Sequence, residues 1–325
     1  MLSTTLEWIW MGVLVLGPAV LAVTVIGSIA STIAGVLMHA IVNDQQVDRS
    51  WENFSCQTLE LVGIFFTFLS QMMHFSFAAP KYKPDSPCKV PIMLIPGYQM
   101  NRWSLGPLQY YLHRRGYHNI WAINNPILKD DVLIFVEHLK VKIDLYYEQN
   151  QQRKIILIGH SMGGLICRHY IEQYGTEKVE ATISLATPYR GTKTYRLARG
   201  TVGRQFKPDS DICNITEAPP LAHLVIRSTR DWVVVPFENT HLNNANEMII
   251  TNAGHLGILV SVPVFQKIHD FVDGLLDTSN TSNTSNTSNT SNTSNTSNTS
   301  NTSNTSNTSN TSNTSDTEGL PKHHA

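Results

Sequence analysis

A serine stands at residue 161 in the run Ile155-Ile156-Leu157-Ile158-Gly159-His160-Ser161-Met162-Gly163-Gly164. The four aliphatic residues read as a buried strand and the glycine pair opens a helix, so the serine falls on a tight strand-to-helix turn. Such a turn leaves no room for side chains two residues to either side, which accounts for Gly159 and Gly163. The helix that begins there turns its free N–H groups and positive dipole end toward any oxyanion forming beside the hydroxyl. These features suit Ser161 to nucleophilic attack on a carbonyl carbon. The structural alternative is a capping serine in an ordinary turn.

A serine nucleophile needs a base, and the base needs an acid to orient it, in the chain order Ser, Asp or Glu, His. Five histidines follow Ser161 before residue 278: His169, His223, His241, His255 and His269. His169 lies on the helix leaving the turn and His269 inside a closing helix. His223 opens a strand, and His241 sits in the polar run 239–246. His255 stands between glycines in Ala253-Gly254-His255-Leu256-Gly257, after a predicted strand, on a loop able to carry an imidazole back to the serine. It is the expected base.

The expected acid is Asp231, in Ser228-Thr229-Arg230-Asp231-Trp232, directly after the predicted strand 223–228. A carboxylate at a strand's C-terminal edge can reach the distal ring nitrogen and hold its tautomer. Glu238 is the closest rival, whereas Asp209 and Asp211 fall inside a long connection. Two N–H donors must meet the oxyanion. Met162, after the nucleophile, is one; Tyr98 is the other, in Ile95-Pro96-Gly97-Tyr98-Gln99, where Gly97 permits a sharp backbone path.

Five segments carry a family resemblance: 95–103 (IPGYQMNRW), 158–164 (IGHSMGG), 186–192 (ATPYRGT), 228–236 (STRDWVVVP) and 253–259 (AGHLGIL). In this order and spacing, residues 90–276 resemble the α/β-hydrolases, in particular the compact lipase/esterase branch of small bacterial triacylglycerol lipases and PGAP1-like hydrolases. The resemblance implies an α/β-hydrolase fold and hydrolysis of acyl esters by Ser161, His255 and Asp231, with no cofactor and no metal. One departure is Pro96-Gly97, where the family usually has His-Gly. Rival readings are a thioesterase, amidase or acyltransferase with the same three residues, or a non-catalytic membrane scaffold retaining the fold.

The elements that must position these residues alternate along residues 81–277. Strands are predicted at 90–95, 119–123, 154–158, 181–186, 223–228 and 247–251, and helices at 103–115, 131–150, 162–174 and 262–276. Strand and helix in strict turn imply a mostly parallel sheet covered on both faces. The insert 187–220 carries Arg190, Lys193, Arg196, Arg199, Arg204 and Lys207 before any acidic residue. It suits either anionic headgroups or a solvated loop.

The two ends differ sharply from this middle. Residues 8–43 hold no Asp, Glu, Lys or Arg, and a helix of that length would span about 54 Å against a hydrocarbon core of roughly 30 Å. Gly17-Pro18 offers a kink, and Gly27 and Gly35 allow close helix approach. The run lacks a basic n-region and exceeds a signal peptide's apolar stretch, so residues 1–80 are expected to hold N-terminal transmembrane helices that anchor the chain. A second apolar run, 61–80, is interrupted by Gln71 and His74 and suits a span, an interfacial helix or a helix packed on the catalytic domain. The positive-inside rule places residue 81 onward in the cytoplasm for two spans and conflicts for one or three, which leaves the side open. Residues 278–325 begin with twelve Thr-Ser-Asn triplets that cannot bury apolar surface, so a disordered tail is expected.

Composition removes other classes. The net charge is −1 with a pI near 6.9, which gives no general attraction to nucleic acid. Four scattered cysteines show no metal or redox spacing. The expected partners are an acyl ester or lipid substrate and the bilayer itself.

Overall fold

A computed structural model describes residues 51–74, 90–125, 131–198 and 200–287. The apolar run 8–43 lies outside them, as does most of the Thr-Ser-Asn repeat. Within residues 51–278 the chain forms one six-stranded sheet: β1 (Ile92–Ile95), β2 (Ile120–Ala122), β3 (Ile155–His160), β4 (Val179–Leu185), β5 (Ala222–Ser228) and β6 (Asn246–Ile250). The order is β2-β1-β3-β4-β5-β6, and every neighbouring pair is parallel. All six predicted strands are present, with no end shifted by more than two residues.

Alternation along the strands supplies two cores. Met93, Ile95, Ile155 and Leu157 face one side, where α3 (Val132–Gln149) and α4 (Met162–Tyr174) bury Phe135, Val136, Leu139 and Leu165. Ile92, Leu94, Ile156 and Ile158 face the other, where α2 (Gly106–Arg114) and α6 (Val262–Thr287) bury Leu108, Leu112, Val264, Phe265 and Ile268. A short helix, α5 (Gly200–Gln205), lies in the insert between β4 and β5.

Local chemistry sets the helix bounds. Asp131 caps α3, its Oδ1 accepting the Leu133 N–H at 2.9 Å. The predicted helix 103–115 is two pieces, a 3₁₀ turn at Arg102–Leu105 and then α2, because Pro107 has no N–H for a continuous ladder yet suits a first helical turn. Helix α6 runs past its predicted stop at 276 as far as Thr287, since elongation of an existing helix fixes one residue per added hydrogen bond. Residues 279–287 belong to a second compact unit, of which only this helical backbone is described.

Ahead of the sheet, α1 (Trp51–His74) packs on the 3₁₀ turns Arg102–Leu105 and Gly257–Val260. The described part of the run 61–80 thus takes the last of its three sequence readings. Among the described residues, no helix is long and apolar enough to cross a membrane.

Candidate active site

Chain order places the switch in winding direction between β1 and β3, where the loops after two adjacent parallel strands diverge and open a crevice at the sheet's carboxyl edge. Register sets Ile95 beside Gly159, so Gly97-Tyr98 and Ser161 leave the sheet next to each other. Ser161 takes φ 53° and ψ −121°, a left-handed conformation that costs a non-glycine residue about 1–3 kcal/mol. Its N–H is tied to Leu185 O at 2.8 Å. A Cβ on Gly159 would lie 2.5 Å from the Gly163 carbonyl, and one on Gly163 would lie 2.2 Å from Ile95 O. Both glycines therefore permit backbone contact across the turn, as their spacing predicts.

Asp231 leaves the end of β5 and is buried. Its Oδ1 accepts the N–H groups of Val233 at 2.8 Å and Val234 at 2.7 Å, which orients the carboxylate. Its Oδ2 accepts from His255 Nδ1 at 2.8 Å. Because a carboxylate only accepts, Nδ1 carries the proton and Nε2 keeps its lone pair. Burial disfavours charge on the His255 ring, but the Asp231 charge and hydrogen bond, with Glu60 adding to them, hold its pKa above the ordinary 6.5.

Ser161, His255 and Tyr98 line one cavity of about 460 Å³. Among the described residues no hydrogen bond joins the Ser161 hydroxyl to the His255 ring, a contact that tightens in many hydrolytic sites only once substrate is seated. The cavity wall is mostly apolar, with Phe206, Val234 and Leu256 in it. The insert 187–220 supplies Pro188, Thr192, Tyr195 and Leu197, so the segment noted for its basic residues also encloses the cavity. Of those basic residues, Arg190 donates to the Glu238 carbonyl. Met162 is the first residue of α4, where the N–H has no intrahelical acceptor. Tyr98 is half-buried and meets the edge of Phe206 with ring centroids 5.6 Å apart.

The other histidines sit in separate structural contacts. His169 Nε2 donates to Ile212 O at 2.9 Å, and His241 Nδ1 contacts Glu247 Oε1 at 2.5 Å. His269 lies beside Asp270 and Asp273 on α6. His223 is buried among Thr182, Ser184 and Tyr189; burial, with the Arg168 charge behind it, pushes its pKa down to about 4.

Sequence reasoning missed two residues. His160 precedes the serine and is fully buried, and its pKa is pushed down to about 3 by burial and then by the His255 charge. The ring is therefore neutral, and its Nε2–H donates to His255 O at 3.0 Å while the rings lie 4.8 Å apart. Glu60, from α1, accepts the Leu256 N–H at 3.0 Å and the Gly257 N–H at 2.7 Å, directly after His255. The one sequence signal for Glu60 was a lone acid with leucines on both sides.

A six-stranded parallel sheet wound in this order, with a serine on the tight strand-to-helix turn after β3 and loops carrying Asp231 and His255 after β5 and β6, is the architecture of the α/β-hydrolase fold. The chain matches the family model for palmitoyl protein thioesterase over residues 91–229. It is 43% identical over 63 residues to a GPI inositol-deacylase of Candida albicans, a stretch covering 19% of this chain and 16% of that relative. Similar solved structures include a Bacillus licheniformis lipase (18% identity, TM-score 0.48, 58% of this chain and 95% of that one). A Paleococcus ferrophilus monoacylglycerol lipase is also similar (15% identity, TM-score 0.46, 58% and 96%). Aspergillus fumigatus lipase B is a third (16% identity, TM-score 0.44, 56% and 52%).

Proposed function

We propose that this chain is a serine hydrolase of carboxylic esters, acting on acyl lipids from a membrane anchor formed by residues 8–43. The observation that carries the reading is a buried His255–Asp231 pair whose His255 lines one mostly apolar cavity together with a serine held at positive φ. In the proposed reaction the Ser161 hydroxyl attacks the acyl carbon and gives its proton to His255 Nε2. Asp231 holds the ring and stabilises the imidazolium that results. The Tyr98 and Met162 N–H groups receive the oxyanion, His255 returns the proton to the leaving alcohol, and water releases the acyl group. A cavity of about 460 Å³ with an apolar wall suits an acyl chain better than a polar head. The membrane anchor rests on the length and apolar character of the run 8–43.

The family match over residues 91–229 favours one second reading, in which the same machinery cleaves acyl thioesters. Turnover of matched acyl esters, thioesters and amides separates the two. The central test is hydrolysis of p-nitrophenyl esters and phospholipids together with labelling by an active-site fluorophosphonate. Ser161→Ala and His255→Ala are expected to lower turnover by on the order of 10³ or more, with the adduct lost in Ser161→Ala. Absence of an adduct on wild type, or equal labelling of Ser161→Ala, favours the non-catalytic scaffold instead.

A further inference from the structure

The helix ahead of the sheet sends one carboxylate beneath the loops that carry Asp231 and His255. Glu60 is buried and accepts three hydrogen bonds: Trp232 Nε1–H at 2.6 Å and Leu256 N–H at 3.0 Å on Oε1, and Gly257 N–H at 2.7 Å on Oε2. Trp232 is the residue after Asp231, and Leu256 and Gly257 are the two after His255. We propose that Glu60 is a positioning residue for the reaction: its single carboxylate locks the Asp231 and His255 loops together and sets a second negative charge beside the His255 imidazole. This rests on the hydrolase reading above.

Close backbone approach holds the brace in place. A Cβ on Gly63, one turn along α1, would lie 2.4 Å from Leu256 O, and a Cβ on Gly254 would lie 2.7 Å from Glu60 Oε2. The helix backbone at Gly63 thus meets the histidine loop directly, and the lack of a Cβ at Gly254 leaves room for the Glu60 carboxylate. From the opposite side, His160 donates to His255 O. The loop is therefore held at the carbonyl of His255 by β3 and at the following two amides by α1. Thr67, two turns beyond Glu60, reaches the cavity wall, so α1 borders the substrate space as well.

Burying an ionised carboxylate is costly, and a backbone clamp alone can be built from neutral acceptors. Charge is what a neutral acceptor lacks, and charge next to an imidazole matters when that ring takes up a proton. The ionisable or charged groups facing the pair are Asp231 and Arg230 from the loop after β5, His160 from β3, and Cys56 one turn earlier on α1. Burial pushes the Cys56 thiol up to about 11, with the Glu60 charge the next cause, so it stays neutral through the range where the histidine titrates. His160 likewise stays neutral there.

The sign of the effect follows from the charge. Glu60 favours the protonated His255 ring; its loss makes the neutral base available at lower pH. The experiment measures kcat/KM for a p-nitrophenyl ester against pH in the full-length protein for wild type, Glu60→Gln and Glu60→Asp, after fluorophosphonate labelling of wild type and Ser161→Ala. Labelling of wild type that is lost in Ser161→Ala upholds the hydrolase reading independently of Glu60, and its failure sinks that reading first. Glu60→Gln is expected to lower kcat by about 100-fold through misplacement of the base and to move the acid limb to lower pH. Glu60→Asp, with the charge kept and the reach shortened, is expected to lose kcat while its acid limb stays nearer that of wild type. A Glu60→Gln enzyme with wild-type kcat, or one whose acid limb does not move, overturns the proposal. If Glu60→Gln does not fold, wild-type kcat in Glu60→Asp overturns it alone.

Discussion

Asp231 spends both carboxylate oxygens locally, one on two backbone N–H groups and one on the His255 ring. An amide in its place keeps the volume and removes the charge. Its NH₂ group would meet either the ring N–H or the two backbone donors, and the ring is then driven to the wrong tautomer. Asp231→Asn is therefore expected to fold and to lose on the order of 10⁴ in kcat for an acyl ester, measured beside a thermal melt that stays near wild type. A variant with more than a tenth of wild-type turnover would remove Asp231 from the chemistry. At this scale the sequence was informative where local backbone rules confine a residue. Ser161 between glycines and His255 between glycines were both legible from their neighbours. Glu60 was not, because 171 residues of chain separate it from Asp231 and no local pattern records a long-range hydrogen bond. His160 was hidden for a related reason, since its role depends on the His255 carbonyl reached only in the folded loop.

Among elements, the junction of β3 with α4 bears the tightest constraint. Gly163 stands against Ile95 O and Gly159 against the Gly163 carbonyl, so the helix begins in direct contact with β1. Gly163→Ala forces a methyl to 2.2 Å from that oxygen, and the helix start must shift to admit it. The expected result is a loss of about 1–3 kcal/mol in stability, read as a lower urea midpoint, with a drop in esterase turnover as Ser161 moves. An unchanged midpoint would mean that the turn is softer than its contacts imply. Strand positions were legible because the apolar runs 92–95 and 155–158 are short, continuous and bounded by turn residues. Their neighbours in the sheet and the packing of α1 were not, since hydrophobic pattern states that a face is buried and not which element covers it. The run 61–80 shows this ambiguity. The same apolar residues suit a lipid-facing helix and one seated on a protein core, and the sequence alone does not separate the two.

At the scale of the whole molecule, His160, His223, His255 and Glu60, all buried among the described residues, give stability an uneven dependence on pH. His160 and His223 are held below the ordinary 6.5, to about 3 and about 4. Their contribution is present above 6.5 and is lost as pH falls through that window, because the unfolded chain takes up protons that the folded one resists. His255 has the opposite sign: its pKa is raised, so its contribution is complete below 6.5 and is lost only as pH rises through the folded value. Burial raises Glu60 against the lowering effect of its three hydrogen bonds, so its share also declines as pH rises. The two histidines held far below 6.5 set the direction expected on the acid side. The thermal midpoint is expected to fall from pH 7 to pH 5, and His223→Gln is expected to flatten that fall; a midpoint that rises instead would contradict the sign.

The placement of α1 bears on how the protein can be prepared. A chain trimmed to begin at residue 81, the natural cut for removing the apolar leader, would still contain all three side chains proposed to react. It would also lose the acceptor of two main-chain amides and one indole N–H, each costing about 1–3 kcal/mol if left buried and bare. Thr67 would go with it, opening one wall of the substrate space to water. An inert fragment of that kind would speak to a missing buttress and say nothing against the nucleophile.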